Sequence, residues 1–227
     1  MDQRLQLVVT AIHLVRNLAT GLYESVGQRL MELIRNGVVA CQRDPNVWEP
    51  KLAKIQILLV KNHPLGKGEP VLIVLDNGCG LDEVRLKRYF TDLGVPLNQL
   101  KTQRGGTHFG ASQKGMGRLA GLALNEKCHS RDEQEAVKNG YYLFTRTERS
   151  GPVRFVSVIP EKVELERGFD VTRFVQPDAR ELGTLRSISG SFTAIVIPNP
   201  IFKSEGEIYD AIKWLLPRER DNVWIND

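Results

Sequence analysis

The sequence predicts an α+β fold, a two-layer sandwich with helices on one face of a mixed, mostly antiparallel sheet. Three observations predict it. A helical period over residues 23–42 precedes two β-type runs; a turn-rich connection rather than a helix joins those runs; and three further strand-like runs follow a glycine-rich loop and a short apolar helix. The regular strand–helix alternation of a doubly wound parallel sheet is missing.

In chain order, "RLQLVVT" (4–10) alternates weakly and suits a first strand, followed by an amphipathic helix to about Leu18 and a turn near Thr20 and Gly21. The helix over 23–42 places Val26, Leu30, Leu33, Ile34, Val38 and Val39 near a 3.6-residue period, and Asp44 and Pro45 close it. "AKIQILLVK" (53–61) and "PVLIVLD" (70–76) are strands joined by the turn formers of "NHPLGKGE". A short helix over 82–92 leads into residues 93–113, a long stretch with little periodicity; loops of that length inside compact domains are usually functional, often lids. "KGMGRLAGLALNE" then combines closely spaced glycines with a small, apolar helix. "GYYLFTRTE", "VRFVSVIP" and "GSFTAIVIP" have strand composition, the polar connection over 162–187 has no clear reading, and "EGEIYDAIKWLL" suits a last helix. "VWIND" at the end has the composition of one more strand, expected here to open a following domain.

With 41% hydrophobic and 26% charged residues, the chain is an ordinary globular one rather than disordered or fibrous. The apolar run "LQLVVTAIHLV" is polar-interrupted and too short to span a bilayer, so no membrane segment is expected and the expected location is cytoplasmic. Cys41, Cys79 and Cys128 are odd in number and widely spaced, which predicts reduced thiols and neither a disulfide framework nor a zinc site. The net charge of +4 suits a polyanionic ligand but is too small for a basic arm; "RLKRYF" (85–90), the densest basic cluster, reads as a solvated helix face.

Three stretches carry chemistry. In "LMELIRNGVVA", Glu32 and Asn36 stand one turn apart, which puts their β-carbons about 5–6 Å from each other on one helix face. Alone they are a polar helix edge. Together they can address one bound object: a carboxamide oxygen suits a hard cation such as Mg²⁺, and a carboxylate can hold and deprotonate a water. In "LIVLDNGCGL", Asp76 ends a buried strand and Gly78 and Gly80 let the backbone turn beside it, so that a flat base could lie there with its exocyclic amine on the carboxylate. In "QKGMGRLAGLAL", Gly115 and Gly117 precede a helix, where free N–H groups and the helix dipole favour phosphate, with Lys114 and Arg118 adding positive charge. Neither the P-loop pattern nor a complete dinucleotide fingerprint is present.

Taken in order, "ELIRN", "DNGCGL", "FGASQKGMGRLA" and the strand Thr193-Ala-Ile-Val-Ile197 resemble the successive boxes of the GHKL ATPase superfamily, which includes gyrase B, heat-shock chaperones, histidine kinases and MutL. The resemblance runs from the first strand to about residue 197 and is nearest the heat-shock-chaperone-like and MORC-like branches. It implies a Bergerat fold over 1–200, with a C-terminal helix and the start of a following domain over 201–227, and with ATP and Mg²⁺ bound between the helical layer and a lid at about 93–114. It implies Glu32 as general base, Asn36 as magnesium ligand, Asp76 as the adenine-reading carboxylate, Gly78 and Gly80 as the floor of the base pocket, and Thr193 as its supporting threonine. The phosphates fall to Lys114, Gly115, Met116, Gly117 and Arg118, the two charged residues being assigned from charge and placement. One departure stands out: many members carry N-x-x-D-A, whereas this chain has Asn36-Gly-Val-Val39-Ala40, so an acidic helper is missing. The expected activity is therefore slow ATP hydrolysis driving a conformational switch, with ATP and ADP as ligands, an ATP-dependent homodimer open, and the partner protein or DNA unspecified.

Two other classes compete. A histidine-kinase-type catalytic domain passing phosphate to a protein would need an acceptor histidine on a helix, and His13 is the candidate; it has no partner acid in the adjacent sequence, so it reads as a packed or partly exposed helix residue. A non-catalytic, DNA-associated nucleotide-binding module would suit the mild positive charge and Val39.

Overall fold

The computed structural model describes residues 25–42, 53–83, 85–86, 119–149, 151–160, 163–164, 168–169, 185, 188–214 and 223–225. Its main helix, α1 (Val26–Gln42), begins where the Ser25 hydroxyl accepts a hydrogen bond from the Gln28 N–H at 3.2 Å, an N-cap that satisfies one of the donors a helix start leaves open. Leu30, Met31, Leu33, Ile34 and Cys41 are buried along one side of it. The expected first strand over 4–10, the helix after it and His13 lie outside the described residues.

The expected hairpin is present: β1 (Ile55–Val60) pairs antiparallel with β2 (Val71–Asp76), joined through a 3-10 turn over Pro64–Gly66. In that connection His63 Nδ1 accepts from the Leu65 N–H at 3.2 Å, and burial pushes the His63 pKa down. After the loop come α2 (Ala120–Leu124), all five residues buried, a 3-10 turn over Glu126–His129 and α3 (Glu133–Lys138), capped by Asp132. The three later strands follow as β3 (Tyr141–Arg146), β4 (Arg154–Val158) and, beyond the two-residue pair β5 (Val163–Glu164) and β6 (Gly168–Phe169), β7 (Phe192–Pro198). The last described helix is α4 (Glu205–Ile212), with the Ser204 hydroxyl as N-cap, and the last described strand is β8 (Val223–Ile225).

Six strands form one sheet in the order β4-β3-β7-β2-β1-β8, antiparallel throughout except for the β1–β8 pair. The class is therefore α+β with a mixed, mostly antiparallel sheet. The "VWI" strand adds to this same sheet beside β1, and α4 buries Ile208 and Ile212 in the same core as α1. Trp224 on β8 is half exposed, with the Lys54 ammonium 5.4 Å from its ring centre.

Strand alternation divides the core in two. Ile55 and Ile57, Leu72 and Val74, Tyr141 and Leu143, and Ile195 and Ile197 face the layer of α1, α2 and α4. Their neighbours Ile73, Leu75, Phe144, Phe192, Ala194 and Val196 face the other way, into a second buried cluster that Leu185 and Ile188 help close. The Arg146 guanidinium fastens that side, donating from Nε to the Gly190 carbonyl at 2.8 Å and from Nη2 to the Ile188 carbonyl at 2.5 Å. Strands covered on both faces read as continuous apolar runs, which is why "VLIVL" carries no alternation. Among the described residues no helix is long and apolar enough to cross a membrane.

The second cluster, though smaller, is buried and contributes to stability. Phe144→Ala, which truncates a side chain with no solvent exposure, should lower the unfolding free energy by about 3–5 kcal/mol in urea titration. Trp214→Ala, at a residue 83% exposed, should change it by less than about 0.5 kcal/mol.

Candidate functional site

The same alternation that builds the core aims a polar row at the helices. Asp76 is two residues beyond Val74, Thr193 two before Ile195 and Thr145 two beyond Leu143, so all three fall on the helix-facing side. The pairing register then sets them side by side, Asp76 opposite Thr193 and Thr193 opposite Thr145 across β2, β7 and β3. Against this row lies the C-terminal half of α1.

Gly37 permits that approach. A β-carbon there would sit 3.1 Å from the Asp76 β-carbon and 3.0 Å from Ile55 Cδ1, tighter than ordinary packing. Between helix and sheet runs a cleft with about 480 Å³ of empty space, part of it continuous with solvent. Leu33, Ala40, Val74, Leu81 and Ile195 supply apolar walls, while Asn36, Asp76 and Thr193 supply polar groups. A mostly apolar cleft with a few convergent polar atoms is the usual form of a small-molecule site.

The turn after β2 is fastened on both sides. The Gly78 N–H donates to Asp76 Oδ1 at 3.0 Å, and the Cys79 N–H donates to the Ala40 carbonyl near the end of α1 at 3.2 Å. Asn77 Oδ1 accepts from the Lys54 N–H at 2.7 Å and from the Cys41 thiol at 3.3 Å. Burial, and then the nearby Asp76, push that thiol up to about 12, so Cys41 keeps its proton and its donor role. Gly80 has φ +63°, and a β-carbon on it would collide with the Arg146 carbonyl at 2.2 Å, so this position requires glycine for both conformation and space. The Leu81 N–H then donates to the Thr145 hydroxyl at 2.8 Å.

Asp76 is 8% exposed, and burial raises its pKa from 3.8 to about 7 despite backbone hydrogen bonds from Gly78 and Thr193, which lower it. A carboxylate in this position is short of donors and suited to a ligand that brings some. Glu32 is half-buried, and its pKa is also raised, by burial first, with the Arg35 charge opposing.

Of the residues singled out in the sequence, Asn36, Asp76 and Thr193 therefore meet in one cleft. Gly78 and Gly80 form the adjoining turn, packed on the Ala40–Cys41 backbone and on Arg146 respectively. Glu32 lies one turn before Asn36 on α1 and is not among the described residues lining the cleft. Lys114, Gly115, Met116, Gly117, Arg118 and the expected lid at 93–114 lie outside the described residues. Val39 is half-buried.

Sequence reasoning missed Gly37, Asn77 and Thr145. Thr145 could be read as an inward position of its strand, after Tyr141 and Leu143, but not as a site residue, because its role comes from the register that sets it beside Thr193. Gly37 had no signal, because a helix glycine is a contact residue only once the partner strand is known. Neither family models nor curated protein sequences give a match to this chain.

Because the folded-state pKa of Asp76 lies above its unfolded value, its contribution to stability is fully present below about pH 4 and is lost as pH rises through about 7. Asp76→Asn, uncharged at every pH, should therefore be more stable than the native protein at pH 8 by about 2–4 kcal/mol. The difference should narrow as pH falls and close only near pH 4, as read by thermal unfolding at pH 8 and pH 4.

Proposed function

We propose that this chain is a Mg²⁺-dependent ATP-binding and ATP-hydrolysing domain of the GHKL type, with a Bergerat fold, working as a nucleotide-driven conformational switch. The observation that carries the reading is the acceptor row at the head of an apolar cleft: buried Asp76 beside Thr193, with Asn36 on the helix opposite. Adenine has a flat apolar face and an exocyclic amine. Asp76 takes the amine, and the aliphatic walls take the face.

The residues present fit a magnesium nucleotide better than a free metal ion. Among the described residues no group of three or more His, Cys, Asp or Glu side chains could hold a metal by itself. Asn36 offers one neutral oxygen, which suits Mg²⁺ sharing its shell with phosphates and waters, and the ion when bound neutralises phosphate charge. Glu32 orients the attacking water and takes its proton; desolvation raises its pKa toward the working pH, which improves it as a base. The loop 114–118 is assigned to the phosphates and residues 93–114 to the lid, both from the sequence. With Val39 where relatives of this type often carry an acid, turnover is slow.

Two outcomes test the reading. Glu32→Ala should abolish phosphate release, by at least about 100-fold, while leaving ATP affinity within about threefold; unchanged release would remove Glu32 from the chemistry and favour a non-catalytic module. Affinity should also depend on pH through Asp76. Below pH 7 its carboxyl gains a proton where the ligand brings its own donors, so ATP should bind more weakly at pH 6 than at pH 8, and calorimetry in two buffers near pH 7 should register proton release on binding.

A further inference from the structure

Thr145 completes the polar row but lies wholly buried behind it, and its hydroxyl is fully engaged. A threonine oxygen has one proton and two lone pairs. One lone pair accepts from the Leu81 N–H at 2.8 Å, and the proton goes to the Phe192 carbonyl at 3.0 Å. The remaining lone pair faces the Thr193 hydroxyl at 3.4 Å, a long contact in which either oxygen could donate on geometry alone.

Counting protons decides the direction. With its own proton on Phe192, Thr145 can only accept from Thr193. When Thr193 donates in this contact, its proton points back into the sheet and its lone pairs are left toward the cleft it lines. Beside it the Asp76 carboxylate adds further lone pairs. With Asp76 ionised, that end of the cleft offers acceptors without a free proton, a polarity that welcomes an exocyclic amine and opposes a carbonyl oxygen.

We infer that Thr145 is the positioning residue that sets the donor–acceptor polarity of the base pocket, by holding both the Leu81 end of the 76–81 turn and the Thr193 hydroxyl, and thereby selects amino-purine over oxo-purine nucleotides. The inference rests on the ATP reading above and adds to it a source of base selectivity in a residue that touches no ligand. Thr145 also explains why the turn needs Gly80: a β-carbon there would stand 3.2 Å from the Thr145 oxygen as well as against the Arg146 carbonyl.

The test titrates non-hydrolysable ATP and GTP analogues into the native protein, Thr145→Val and Thr145→Ser. The native protein should prefer the ATP analogue. Thr145→Val keeps the shape and loses the hydroxyl, so affinity for the ATP analogue should fall about tenfold, the loss of one buried hydrogen-bonding group. The GTP analogue should be affected less or bind better, because the freed Thr193 proton can reach a carbonyl. Thr145→Ser should restore the native preference. A parallel loss for both analogues would mean a merely structural role and overturn the inference, as would an unchanged preference in Thr145→Val; either leaves ATP binding by the native protein intact. A folded native protein that binds neither analogue would overturn the ATP reading and this inference with it. Should Thr145→Val not fold, amide exchange in the native protein decides: the Leu81 N–H should exchange more slowly with the ATP analogue than with the GTP analogue, and equal rates overturn the inference.

Discussion

Asp76 holds its carboxylate on the helix-facing side of a strand whose six residues are all buried, and that placement dictates much of what surrounds it. A buried carboxylate with few donors is costly to ionise, so the chain brings backbone N–H groups to it from Gly78 and Thr193. Those donors exist only if the strand turns sharply at residue 77 and β7 lies in register beside β2. The turn in turn needs anchors, which Asn77 finds on Lys54 and Cys41, and Leu81 finds on Thr145. The carboxylate, the turn and three strands are one mechanical unit.

The helix α1 is fitted to that unit. Gly37 admits the Asp76 side chain, the Ala40 carbonyl receives the Cys79 N–H, and the Ala40–Cys41 backbone lies against Gly78. Asn36 is thereby fixed relative to Asp76 although the two come from different layers, and Glu32 follows one turn earlier. In the proposed function this is how a nucleotide can be read at its base and acted on at its phosphates by groups on one rigid helix. The raised Asp76 pKa records what the arrangement costs: a carboxylate desolvated beyond what its two backbone donors offset is available to a ligand that brings more.

Much of the fold was legible because the strands are apolar, bounded by turn formers and spaced by recognisable connections. The helix around Glu32 and Asn36, the hairpin, and the later strands "YYLFTR", "RFVSV" and "FTAIVIP" could be read in that way. Lateral order could not. That β7 inserts between β3 and β2, or that "VWI" runs parallel to β1 as the far edge, follows from packing between distant segments and has no local signature. Asp76 was visible at the end of its strand, since a carboxylate after "LIVL" is out of place there. Thr145 was not singled out, because a threonine suits any strand and gains its role only from the register that sets it beside Thr193. The second buried face was missed for a related reason: an apolar run does not say which of its residues face which layer.

The most direct test is a crystal structure of the protein grown with a non-hydrolysable ATP analogue and Mg²⁺. The account predicts adenine in the cleft between α1 and the sheet, with its exocyclic amine on the Asp76 carboxylate and Mg²⁺ touching the Asn36 side-chain oxygen. A nucleotide bound elsewhere, or a well-ordered protein whose cleft stays empty at saturating analogue, would contradict it.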